Sequence, residues 1–105
     1  MRRRDALAWA DPGLLIMGSL SEGSKHGYAI QQDVAAETGV YLGPGTLYGA
    51  LARLERDGLV EGLPGDERRR PYRLTTHGVA VLEERVASLR RFAQRTEVRL
   101  AARPA

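Results

Sequence analysis

The sequence contains no cysteine, and this absence excludes several classes of protein at once. Without thiols, the chain cannot be a disulfide-stapled secreted scaffold and cannot form a thiolate zinc site. Histidine is scarce as well, since only His26 and His77 occur. Neither lies in a Gly-rich phosphate loop or an HExxH metal motif, and no paired-carboxylate motif is visible. We therefore expect no metal, no cofactor and no enzymatic activity.

Aromatic residues and long apolar runs are also few. Aromatics make up 6% of the 105 residues, so a core must depend on Leu, Val, Ile and Ala. The longest apolar run, residues 14–17, is too short to span a bilayer. Asp5, Asp11 and Pro12 interrupt the segment after the N-terminal arginines, so we predict no signal peptide and a cytoplasmic location. A single domain of this size often completes its burial by forming a dimer.

The positive charge is unevenly distributed. Residues 5–52 hold five acidic residues and one base, Lys25, whereas arginines concentrate at residues 2–4, 53–73 and 85–103. A protein that binds phosphates needs cations gathered on one face. The net charge of +3 and the pI near 9.8 therefore permit nucleic-acid binding without requiring it.

Three short helices are predicted in the first half of the chain. Asp11 and Pro12 form a favourable helix start, because Asp caps free N–H groups and Pro suits the first helical position. A second helix opens near residues 24–27 and closes at Gly39. The third runs from about Thr46, whose hydroxyl is expected to cap it, to Asp57.

A hairpin and a long helix follow. The predicted strands are residues 59–63 and 68–74, joined by a turn at residues 64–67. Pro71 removes a ladder hydrogen bond, which predicts an edge position for the second strand. Thr75 then caps a helix whose apolar residues step by three and four, as in a heptad seam.

The resulting fold class is mainly α with a small β-hairpin. It comprises an N-terminal arm or short helix (residues 1–10), a winged helix-turn-helix (11–75) and a long C-terminal dimerisation helix (76–103). We expect that helix to bind a second copy, although packing on its own first helix is the alternative. The residues expected in this homodimer contact are Val79, Leu82, Val86, Leu89, Phe92, Ala93, Thr96 and Leu100.

In the third helix, Leu47, Leu51 and Leu54 fall at i, i+4 and i+7, the spacing of one buried stripe. The opposite face of this helix could enter the major groove of DNA. Residues predicted to approach DNA from this face are Gly45, Thr46, Tyr48, Gly49, Ala52, Arg53 and Arg56. Arg68, Arg69 and Arg70 lie near the hairpin tip, where arginines can hold the minor groove. The alternatives are that Tyr48 packs between helices and that the arginines are merely solvated.

These residues resemble the PadR family of transcriptional regulators over roughly residues 14–82. The resemblance depends on His26-Gly27-Tyr28, Gly45-Thr46-Leu47-Tyr48, Asp57-Gly58-Leu59-Val60 and Tyr72-Arg73-Leu74-Thr75, in that order. It is closest to short members with one C-terminal dimerisation helix. Carried over by position, Tyr28 matches a place that approaches DNA, and Tyr72 falls in the wing.

The resemblance implies repression through operator binding, often relieved by small aromatic or drug-like compounds. A homodimer would read a pseudo-palindromic operator in double-stranded DNA. Trp9, Leu89, Phe92 and Ala93 would line an apolar pocket for such an effector, although ordinary interface core is the alternative. A second class of function stays open, in which the protein is an adaptor that does not bind DNA and contacts its partner through the amphipathic C-terminal helix.

Overall fold

The computed structural model describes residues 10–66 and 69–104. Four helices and a three-stranded antiparallel sheet alternate along the chain. The elements are α1 (Pro12–Leu20), β1 (Lys25–His26), α2 (Gly27–Thr38), α3 (Pro44–Arg56), β2 (Val60–Gly62), β3 (Pro71–Leu74) and α4 (Thr76–Ala102). The predicted arm, except for Ala10, and the predicted contact Arg68 lie outside the described residues.

Helix starts follow the local chemistry of the chain. The Asp11 carboxylate accepts a hydrogen bond from the Gly13 N–H, and Pro12 takes the first helical position, as predicted. Thr75 caps α4 in the same way, by accepting from the Gly78 N–H at 2.9 Å. The prediction that Thr46 caps α3 is wrong. Pro44 starts that helix two residues earlier, because proline has a helical φ and no N–H to leave unpaired.

The sheet corrects a second prediction. A short strand, β1, was not foreseen, and it pairs with β3, so the sheet order is β1-β3-β2 and β3 is central. Pro71 is therefore not on an edge strand. It is the first residue of β3, where the Leu63 N–H donates to the Pro71 carbonyl at 2.8 Å. The reciprocal hydrogen bond, from residue 71 to the Leu63 carbonyl, is lost because proline has no N–H. The sheet tolerates this loss at the first residue of a strand.

The core lies where α1 packs against α2, α3 and the sheet. Ile16, Met17 and Ile30 are fully buried, and leucines of α3 close over them. Gly78 is buried at the start of α4, and a Cβ built there would overlap the Leu59 carbonyl oxygen. Glycine is required at this position because backbone meets backbone.

Only the first turns of α4 join this core. Leu82 is 9% exposed and belongs to the core cluster, so this member of the predicted dimer seam packs within its own chain. At 1.5 Å per residue, the 27 residues of α4 extend about 40 Å. Its distal turns stand clear of this core, and the longest dimension of the molecule, α4 included, is 58 Å. Among the described residues, no helix combines the length and apolarity needed to cross a membrane.

Candidate nucleic-acid interface

Helix α3 has one buried and one exposed side. Leu47, Ala50, Leu51 and Leu54 form the buried stripe and are all at most 7% exposed. Gly45, Ala52, Arg53 and Arg56 are exposed on the other side, and Gly49 is half-buried among them. The predicted α3 residues are thus brought together on one face, with small residues along its middle and arginines towards its end. Such a face can approach a phosphate-rich groove closely.

The contact between α2 and α3 depends on a glycine. The ring and hydroxyl of Tyr48 lie directly against Gly27, and a Cβ built on Gly27 would overlap both. Tyr48 is nevertheless 44% exposed. The alternative in which Tyr48 packs between helices is therefore partly realised, since one edge of its ring is packed and another is open to solvent.

Tyr28 lies near the start of α2 and is 61% exposed. Its hydroxyl accepts a hydrogen bond from the Gln32 side-chain amide at 3.0 Å, one turn further along. The neighbouring Gln31 amide donates to the Leu42 carbonyl at 2.6 Å, which fixes the turn leading into α3. Tyr28 is thus held within α2, and Tyr48 is held against the first residue of the same helix.

We call residues 60–74 the wing. Its arginines differ sharply in environment. Arg69 is exposed, and its backbone N–H closes a turn onto Asp66. The Arg70 guanidinium instead bonds the Glu55 carboxylate of α3 at 3.2 Å and lies 5.5 Å from the centre of the Tyr72 ring.

Tyr72 belongs to the core. Its side chain is 8% exposed and packs in the cluster beneath β3. The ring therefore offers little surface to a groove, so we leave Tyr72 out of the proposed DNA contacts.

Several arginines are neutralised within the fold. Arg73 binds Glu61 on the paired strand at 2.7 Å, and Arg85 approaches the Asp11 carboxylate at 3.6 Å. In the part of the chain that the structure describes, Arg53, Arg56 and Arg69 make no salt bridge. Arg90, Arg95, Arg99 and Arg103, near the end of the chain, likewise make no salt bridge with a described residue. Among the described residues before α4, the available arginines therefore lie on α3 and in the wing, where phosphate contacts would be made.

A polar network joins α1, β1 and α2 on the far side of the fold. The hydroxyl of Ser19, which is 6% exposed, donates to the Asp33 carboxylate at 2.7 Å. Lys25 donates to the Ser19 carbonyl and lies 3.4 Å from Asp33. The Ser19 hydrogen bond, and secondarily the Lys25 charge, hold the pKa of Asp33 below its ordinary value of 3.8, against the opposing effect of burial. This network was not predicted, because its members are 6 to 14 residues apart.

The distal part of α4 forms a second candidate surface. Val86, Leu89, Phe92 and Leu100 are between 41% and 63% exposed. Val79 is 42% exposed, Ala93 is exposed and Thr96 is half-buried. This much exposed apolar surface along one helix is typical of an interaction site.

The residues predicted to hold an effector are separated. Leu89 lines a groove between α4 and the α1–α2 pair, together with Leu14, Leu15, Val34 and Val86. Phe92 and Ala93 lie further along α4, and Trp9 is outside the described residues. Asp33 and Glu37 add carboxylates to the rim of that groove.

Comparison with known proteins matches residues 16–84 to the transcriptional regulator PadR-like family. The match covers α1 through the first turns of α4, so it includes the α3 face and the wing. A curated relative, an uncharacterized 37.1 kDa protein in transposon TN4556 of Streptomyces fradiae, is 44% identical over 85 residues. That alignment covers 81% of this chain but only 25% of the relative, so the chain spans about a quarter of that protein.

Solved structures agree with this match. A PadR family transcription regulator from hypervirulent Clostridium difficile superposes with a TM-score of 0.76 at 29% identity, over 85% of this chain and 97% of that one. A transcriptional regulator from Clostridium thermocellum gives a TM-score of 0.74 at 26% identity, over 87% and 91% of the two chains. The arrangement of helices and wing is thus shared with known transcriptional regulators.

Proposed function

This chain belongs to the PadR-like family of transcriptional regulators, and from that membership we propose that it is a repressor that binds a pseudo-palindromic operator as a homodimer. Members of this family are regulators rather than enzymes, which agrees with the expectation of no catalysis. The observation that carries the proposal is the exposed face of α3, where Arg53 and Arg56 make no salt bridge with any described residue. Thr46 and Tyr48 supply hydroxyls for phosphates near the helix N-terminus.

The charge of a single copy is too small to hold DNA strongly. Glu55, Asp57 and Glu61 dilute the arginines of α3 and the wing. Because a helix-turn-helix dimer binds two half-sites about one helical turn apart, roughly 34 Å, pairing two copies doubles the phosphate contacts. We propose the exposed distal α4 as the element that sets this spacing.

Release by an effector is the third part of the proposal. An apolar groove bounded by Leu89, Val86 and α1 lies next to the proposed dimer contact. A small aromatic or drug-like compound held there would change how two copies pack and hence the distance between their α3 helices. The protein would act in the cytoplasm, where its operator lies.

The test begins with selection of duplexes from a random library by the full chain. A selected site should be a pseudo-palindrome, and placing it across a promoter should lower reporter expression when the protein is present. Arg53→Ala should weaken binding to the selected duplex by about 10-fold or more, at roughly 1–3 kcal/mol per base contact. Arg95→Ala makes the same charge change on an exposed part of α4, on the side of the helix opposite the proposed dimer contact; it is the control and should bind normally.

A second function, that of an adaptor using α4 alone, is favoured by the exposed apolar surface of that helix. Selection that returns no enriched sequence, together with a reporter that never responds, would support the adaptor and contradict the repressor.

A further inference from the structure

We propose that Arg70 is a positioning residue, which holds the wing at a fixed place on α3 and does not itself contact DNA. The inference rests on the proposed function, because it concerns how the two DNA-binding elements are set relative to each other. The sequence groups Arg70 with its two neighbours as one basic run. The structure gives it a separate environment.

The first observation is a bond between two elements. The Arg70 guanidinium lies 3.2 Å from the carboxylate of Glu55, the penultimate residue of α3. Both side chains are partly shielded, at 42% and 33% exposed. The same guanidinium lies over the buried ring of Tyr72, with 5.5 Å between its Cζ and the ring centre. Two different attractions therefore keep it in place.

The second observation is the space that receives it. Gly62 pairs with Tyr72 across the sheet, and Arg70 precedes Tyr72 by two residues, so all three share one face. A Cβ built on Gly62 would overlap the guanidinium of Arg70. The absence of a side chain at residue 62 is therefore what lets Arg70 lie across the sheet towards α3.

Contact with DNA would require Arg70 to leave these partners. Reaching a phosphate would give up Glu55 and Tyr72 and would leave Glu55 as an unpaired negative charge beside the recognition face. Arg69 faces no such cost, because its side chain is exposed and makes no salt bridge with any described residue. The two neighbours therefore have different roles: Arg69 is available for phosphate, and Arg70 fixes the wing against α3. A wing held in place before binding loses less freedom when it meets DNA.

We call the contacts of Arg70 with Glu55 and Tyr72 the anchor. Three substitutions disrupt it in different ways. Arg70→Gln removes the cation, Glu55→Gln removes its partner, and Gly62→Ala fills its space without changing any charge. The matched control is Arg69→Gln, which makes the same charge change at the next residue. The reporter in free protein is the Leu63 amide, which donates to the Pro71 carbonyl at the end of the β2–β3 ladder, next to the residue that carries the guanidinium.

Hydrogen exchange at the Leu63 amide, without DNA, measures the anchor directly. All three anchor variants should exchange about three- to tenfold faster than the unmodified protein, the range that a partly exposed ion pair and a cation–π contact provide. Arg69→Gln should leave the rate unchanged. Unchanged exchange in both Glu55→Gln and Gly62→Ala would overturn the anchor.

Binding to a duplex selected from a random library by the unmodified protein measures the consequence. Each anchor variant should weaken binding by about three- to tenfold, and Glu55→Gln combined with Arg70→Gln should lose no more than Arg70→Gln alone. Arg69→Gln should reduce the slope of log K against log salt by about 1, whereas Arg70→Gln should leave the slope nearly unchanged. A direct contact gives the opposite pattern: Glu55→Gln tightens binding and Arg70→Gln lowers the slope.

The exchange and binding measurements together distinguish a failure of the positioning role from a failure of the proposed DNA binding. If the unmodified protein binds no duplex while exchange rises in the three variants, the proposed function fails and the anchor stands. If the protein binds duplex but Glu55→Gln binds as well or better, the positioning role is wrong and DNA binding stands.

Discussion

The ring of Tyr48, in the N-terminal half of α3, lies directly on the backbone of Gly27, the first residue of α2. This close contact is possible because glycine has no side chain. This contact sets the direction of Tyr48 on the proposed DNA-binding face. A tyrosine has two rotatable bonds and can swing away, so a methyl group at residue 27 would displace the ring more readily than it would disrupt the fold.

Gly27→Ala should therefore weaken binding to a selected duplex by about three- to tenfold, one charge-neutral contact being worth roughly 0.5–1.5 kcal/mol. The free energy of unfolding should change by less than about 1 kcal/mol, because alanine suits a helix. Fluorescence anisotropy and urea denaturation measure the two effects. Tyr48→Phe keeps the ring in place and removes only the hydroxyl that is proposed to bind phosphate, so its loss of affinity measures the hydroxyl separately from the position of the ring. Full affinity in Gly27→Ala would show that the position of Tyr48 is irrelevant to binding.

Two glycines should respond to alanine with opposite signs. A Cβ on Gly78 meets the Leu59 backbone, so Gly78→Ala should lower the free energy of unfolding by about 2–4 kcal/mol, as overpacking does. A Cβ on Gly49 meets nothing within 4 Å, so Gly49→Ala should raise stability by about 0.5–1 kcal/mol through helix propensity. Urea denaturation of both variants provides the comparison.

The Gly49 variant carries a second expectation. Its added methyl group stands on the exposed side of α3, so it should weaken duplex binding even as the protein becomes more stable. Stability and affinity that rise together would show that this part of α3 does not approach DNA.

The Ser19–Asp33 bond predicts how stability depends on pH. Because the folded state lowers the pKa of Asp33, its contribution is present above the ordinary value of 3.8 and is lost as pH falls through the lower, folded value. Ser19→Ala should therefore cost about 1 kcal/mol near neutral pH, and the difference from the unmodified protein should shrink in acid. Denaturation curves over this pH range test the sign. A difference that grows on acidification would contradict the assignment.

The distal α4 surface predicts an effect on assembly. Leu89→Glu should raise the dissociation constant of the homodimer by at least about 10-fold, because it places a charge in an apolar contact. Val98→Glu is the matched control: Val98 is 69% exposed and lies nine residues on, about two and a half turns, hence on the opposite side of the helix. Sedimentation velocity over a range of concentrations should show dissociation only for Leu89→Glu. Equal behaviour of both variants would move the contact elsewhere.

The sequence predicted the elements whose signals are local. Asp11 and Thr75 cap helices as expected, and the spacing of Leu47, Leu51 and Leu54 identified the buried side of α3. The start of α3 differs from the prediction by two residues, because Pro44, whose φ is already helical, begins the helix before Thr46. These errors concern single residues within correctly identified elements.

The contacts that were missed join distant parts of the chain. Strand β1 has two residues and no pattern of its own, and it exists because β3 supplies its hydrogen bonds. In the same way, Arg70 could not be separated from Arg69 by sequence, since its partner Glu55 is 15 residues away and its space depends on Gly62. Leu82 fits a heptad seam, but its burial is decided by how α4 leaves the core.

The central claim is that this chain binds duplex DNA through cations on α3 and the wing. The most direct measurement is the affinity of the full chain for a fluorescent selected duplex at several salt concentrations. The account predicts that log K falls linearly with log salt, with a slope several units steep, and that Arg53→Ala weakens binding. Affinity that is flat with salt, or that is unchanged by Arg53→Ala and Arg69→Gln together, would contradict it.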